Sequence, residues 1–64
     1  MKKYTVIWTK HDGNELKVSY CKVESLKKLK KYYNHKGMIT INFIFSGFLE
    51  TVDSMGEIPM HYIS

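Results

Sequence analysis

The residues able to do covalent or metal chemistry are few: Cys21, His11, His35 and His61. A thiol beside an imidazole can act as nucleophile and base, and closely spaced His and Cys residues can hold zinc. Here the cysteine is alone and the histidines are scattered. No Cys-x-x-Cys or His-x-x-x-His spacing occurs. There is also no Gly-rich phosphate loop, no nucleophile turn and no carboxylate dyad. A 64-residue chain has little material with which to enclose a substrate pocket. We therefore expect a non-catalytic protein with no metal and no cofactor.

The second chemical feature is charge. The chain has 10 Lys, no Arg and 6 acids, a formal charge of +4. Residues 1–36 carry +7 and residues 37–64 carry −3. Lys27, Lys28, Lys30, Lys31 and Lys36 crowd one segment, 25–36, that contains no acid. A solvated helix ordinarily interleaves Glu with Lys at i,i+4, and a like pair such as Lys27 and Lys31 is mildly unfavourable. First-turn lysines also oppose the helix dipole. This face is therefore a candidate contact for an anionic partner, with an ordinary solvated Lys-rich face as the simpler alternative. The lack of guanidinium groups removes bidentate reading of phosphate or guanine.

These groups are positioned by a chain of one small domain, 1–64. Tyr4–Thr9 is β-branched and aromatic, His11-Asp12-Gly13-Asn14 is a turn cluster, and Leu16–Val23 alternates again. Residues 3–23 thus form a β-hairpin. Ser25 is a candidate N-cap, and Leu26, Leu29 and Tyr33 make one helical stripe, with Gly37 at the stop. The helix is expected over 25–36. Residues 38–45 form the most apolar strand. Residues 46–64 have two readings. In one, Phe48–Val52 extends the strand past a bulge at Gly47, Asp53-Ser54-Met55-Gly56 turns, and Ile58–Ile63 returns as an edge strand. In the other, a short helix begins at Ser46, with Phe48, Leu49, Val52 and Met55 on its stripe, and precedes the last strand.

The expected class is α+β, β-β-α-β(-β), with an antiparallel sheet in the order 2-1-3-4 covered on one face by one helix. The alternation predicts that Tyr4, Val6, Trp8, Leu16, Val18, Tyr20, Ile39, Ile41, Phe43 and Phe45 face the helix residues Leu26, Leu29 and Tyr33. Thr5, Ile7, Thr9, Lys17, Ser19, Cys21, Thr40, Asn42 and Ile44 then lie on the uncovered face, where a half-polar solvated surface is common. Within that face, Ile7, Cys21, Asn42 and Ile44 are candidate contacts for another protein. A core this small benefits from such extra burial.

One cysteine cannot close an internal disulfide, so a disulfide-stapled secreted scaffold is excluded and a reducing cytoplasm is the expected compartment. The apolar run after Met1-Lys2-Lys3 ends too early for a signal peptide, and no stretch is long enough to span a membrane. In size and composition the chain is similar to short, Lys-rich accessory proteins of phages and mobile elements of low-GC bacteria. The expected function is to bind, and inhibit or modulate, a larger cytoplasmic protein. The alternatives are a nucleic-acid binder using the helix lysines on phosphates, and a self-associating module that pairs through the open face or last strand, for example as a homodimer. Nucleic acid ranks second because the strand aromatics are expected under the helix, where no base can stack on them.

Overall fold

The run Lys2–Lys10, rich in β-branched and aromatic residues, is strand β1, and Leu16–Val23 is β2. The two pair antiparallel around the Asp12-Gly13 turn. Helix α1 covers Leu26–Lys36. Ser25 caps it, its hydroxyl accepting from the Lys28 N–H at 3.3 Å. At the far end Gly37 has φ 67° and ψ 172°, a region essentially reserved for glycine. Strands β3 (Ile39–Ser46) and β4 (Met60–Ile63) complete the elements. The computed structural model describes residues 1–51 and 56–64.

The molecule is α+β, with a four-stranded mixed sheet in the order β3-β1-β2-β4 and one helix. The hairpin, the helix and the position of β3 beside β1 agree with the alternation and capping signals. The last strand does not. β4 pairs with β2, not β3, and runs parallel to it. A hairpin return to β3 would need only a few residues, whereas residues 47–59 form a connection long enough to cross the sheet. Neither the strand nor the helix expected after Gly47 forms among residues 47–51. Val52 and most of the expected Asp53–Gly56 turn lie outside the described residues, as do the Val52 and Met55 positions of the alternative helix.

Crossing from one edge to the other takes the chain over the face opposite α1. Thr5, fully buried, donates from Oγ1 to the Gly47 carbonyl at 2.7 Å and accepts from the Leu49 N–H at 2.9 Å. Phe48 stacks on Tyr20 with centroids 4.6 Å apart, and the Tyr20 hydroxyl donates to the Leu49 carbonyl. The segment is thus stitched to the two central strands before the chain reaches β4.

The core lies between sheet and helix: Val6, Cys21, Val23, Leu29, Tyr33 and Ile63, with Tyr4, Trp8, Tyr32, Ile39, Ile41 and Ile44 packed around them. This corrects the expected interior in two strands. Tyr4 lies opposite Cys21 and Val6 opposite Ser19, so β2 presents Ser19, Cys21 and Val23 to the helix and turns Leu16, Val18 and Tyr20 away. In β3 the pairing jumps from Trp8–Ile41 to Ile7–Phe43. Asn42 is the extra residue of a bulge that flips the alternation. Ile39, Ile41 and Ile44 face the helix; Phe43 and Phe45 do not.

Candidate interaction surface

The register assembles the uncovered face in rows. Phe45, Thr5, Tyr20 and Met60 run across the four strands. Phe43, Ile7 and Val18 form the next row, and Lys3, Lys22 and Tyr62 another. Phe43 is 61% exposed, Leu16 65% and Tyr62 69%, with Phe45 and Met60 also open. Phe43 and Phe45 stack on each other at 6.0 Å. Exposed rings gathered on one rigid face are the usual anchors of a protein contact.

Two lysines border the rings. Lys3 and Lys22 sit directly opposite each other on β1 and β2. Like charges in that position repel. Each is held over a ring, Lys3 above Phe48 at 5.5 Å and Lys22 above Tyr62 at 5.3 Å. The ring quadrupoles partly offset the repulsion.

Of the four expected contact residues, Ile7 lies on this face. Asn42 is exposed at the bulge, donating from Nδ2 to the Thr9 hydroxyl at 2.7 Å. Cys21 and Ile44 are corrections, because the β2 register and the β3 bulge turn both toward α1. Cys21 is fully buried, its Sγ 3.4 Å from the Tyr33 hydroxyl. Burial pushes the Cys21 thiol up from its ordinary value, although the Tyr33 hydroxyl and the Lys36 charge act the other way. A buried, protonated thiol is a poor nucleophile. The sulfur is a packing atom in a small polar network in which the Trp8 Nε1–H also donates to the Ser19 hydroxyl at 3.0 Å.

The five helix lysines, Lys27, Lys28, Lys30, Lys31 and Lys36, are all exposed. Lys28 pairs with Glu24 at 2.6 Å, which holds the Glu24 carboxyl below its usual value. Lys36 lies over the Tyr32 ring at 5.7 Å. Lys28, Lys31, His35 and Lys36 line an open groove of about 470 Å³ floored by Tyr32 and Ile63. The basic helix and the aromatic face therefore lie on opposite sides of the sheet. Among the described residues no group of three or more His, Cys, Asp or Glu gathers as a metal site, and no helix is long and apolar enough to cross a membrane.

The residues missed in the sequence are Phe43, Phe45, Tyr62 and Leu16. Their types are those of a contact surface, but an alternating strand does not say which of its faces is covered. Comparison with protein-family models, with curated proteins and with solved structures finds no match for this chain.

Proposed function

We propose that this protein is a small non-catalytic interaction module that docks on a larger cytoplasmic protein, and inhibits or modulates it, through the sheet face opposite α1. The single observation that carries the reading is the gathering of exposed Leu16, Phe43, Phe45, Met60 and Tyr62 on one side of the sheet. With six hydrophobic residues buried among those described, the chain leaves Phe43, Phe45 and Tyr62 open to solvent. Burying them on a partner recovers about 25 cal/mol per Å² of apolar surface. The helix lysines lie off this face and serve to steer an acidic partner during encounter rather than to bind it.

The test is affinity capture with the double variant Phe43→Glu/Tyr62→Glu as control. Both side chains are exposed, so the fold survives the change. The expected result is a nuclease-resistant protein partner retained by the parent chain and lost by the variant. Equal capture by both sinks the assignment of the face.

A second reading has its own support. Rings with lysines above them, Lys3 on Phe48 and Lys22 on Tyr62, share the open face. Single-stranded nucleic acid is bound by such combinations of stacking and charge. Anisotropy with labelled single-stranded DNA and RNA decides between the two. A nucleic-acid binder loses affinity steeply with salt; absence of binding at low salt removes this reading.

A further inference from the structure

The two edges of the sheet are built differently. β4 is four residues long and follows Pro59. β3 runs eight residues, ITINFIFS, without one charged residue or proline. Sheet edges are ordinarily guarded by lysines, prolines or irregularities. The only such device on β3 is the bulge at Asn42; from Phe43 to Ser46 its pairing with β1 is regular.

One hydrogen bond fixes which backbone groups are left over. The Gly47 N–H donates to the Lys3 carbonyl at 2.7 Å, toward β1. Antiparallel ladders alternate residue by residue. Phe45 and Phe43 therefore also turn their backbone groups to β1, and Ser46 and Ile44 turn theirs to the free edge. We propose that this edge pairs with the same edge of a second copy of the chain, antiparallel, about a two-fold axis at Ile44. Ile44 exchanges both hydrogen bonds with Ile44 of the second copy, and Ser46 faces Asn42.

The occupant follows from complementarity. The chain carries +4, yet β3 itself holds no charged residue, so the two strands meet without opposing charges within the ladder. The same register sets Phe43 opposite Phe45 of the second copy on the open face. The Phe43–Phe45 stack already present in each chain then becomes a cluster of four rings. On the helix side Ile44 meets Ile44 beside a groove of about 500 Å³ lined by Tyr4, Leu26, Lys30 and Ile41. The hydrogen bonds of this pairing use the edge while its ring cluster draws on Phe43 and Phe45 of the docking face; Ile44→Pro leaves both rings in place, so loss of the dimer and loss of docking are read separately. It would join two four-stranded sheets into one.

Sedimentation velocity over a wide concentration range is expected to show the mass of two chains replacing that of one as concentration rises. Ile44→Pro removes an N–H that β1 does not use, at a kind of position where proline is tolerated. It is expected to abolish the dimer while leaving the circular dichroism spectrum unchanged. If that variant does not fold, Ile44→Cys in a Cys21→Ala background takes its place, because the two-fold axis sets residue 44 of each copy opposite its own equivalent on the same face. Directly opposed residues lie within disulfide reach, so mild oxidation is expected to link two chains. A single-chain mass at every concentration without cross-linking overturns the proposal. So does a dimer that persists in folded Ile44→Pro.

Discussion

Thr5 shows how one hydroxyl can decide the course of a chain. It lies in the middle of β1, fully buried, and holds both Gly47 and Leu49. Thr5→Val keeps the shape but strands a carbonyl and an N–H. Each such group costs about 1–3 kcal/mol if it stays dry. The expected result is a lower urea midpoint with the Tyr20–Phe48 stack loosened, visible as a changed chemical shift of the Tyr20 ring. An unchanged midpoint would mean that the crossing segment is not anchored there. The Cys21–Tyr33 contact makes a second statement at this scale. Burial pushes the Cys21 thiol up, and it also pushes the Tyr33 phenol up, reinforced by the hydrogen bond to Cys21. The unfolded chain gives up these protons at ordinary values of 9.0 and 10.0, earlier than the folded one does. The stability they contribute is complete below those values and is lost as pH rises through them. The urea midpoint is expected to be lower at about pH 10 than at about pH 8. The double variant Cys21→Ala/Tyr33→Phe should show a flatter profile; equal slopes would remove the network as the cause.

At the scale of elements, α1 forms in spite of its charges. Its first turn has no acid, and Lys27 faces Lys31 one turn on. Ser25 and Gly37 bound it, and Leu29 and Tyr33 bury its apolar stripe. Lys27→Glu converts the like pair to an attractive one and complements the dipole. It is expected to raise stability by about 0.5–1 kcal/mol, read as a higher melting midpoint. A fall would mean that Lys27 makes a contact within the fold. Capping residues and the 3.6 period made this helix legible in the sequence. The strands were legible as strands but not by face. The Asp12-Gly13 turn did carry the missing information for β2: central placement sets His11 opposite Asn14, and hence Val6 opposite Ser19, as observed. Counting outward from the turn, rather than matching apolar residues to apolar residues, yields the correct side. For β3 no comparable signal exists. Ile39, Ile41, Phe43 and Phe45 alternate without a break, and the bulge at Asn42 arises from the tertiary fit against β1.

For the whole molecule, the consequence of the crossing is a protein with two unlike faces. One side carries α1 with its lysines; the other carries rings, with residues 47–49 fastened across part of it. The parallel position of β4 could not be foreseen from the Ile58–Ile63 pattern, because an edge strand accepts either neighbour and the length of the connection decides. Among the described residues six hydrophobic side chains are fully or nearly buried, a small core. Domains of this size are marginal on their own, which is why added burial on a partner or on a second copy matters to this one. Both proposals depend on Phe43 and Phe45 lying outside the helix-covered layer. The most direct measurement is a nuclear Overhauser spectrum of the aromatic ring protons of the isolated protein. Cross-peaks from the Phe43 ring to the Ile7 methyls, and none from Phe43 or Phe45 to Leu29 or Val23, are the predicted result. Cross-peaks from those rings to Leu29 would place them beneath the helix and leave the sheet without the surface described here.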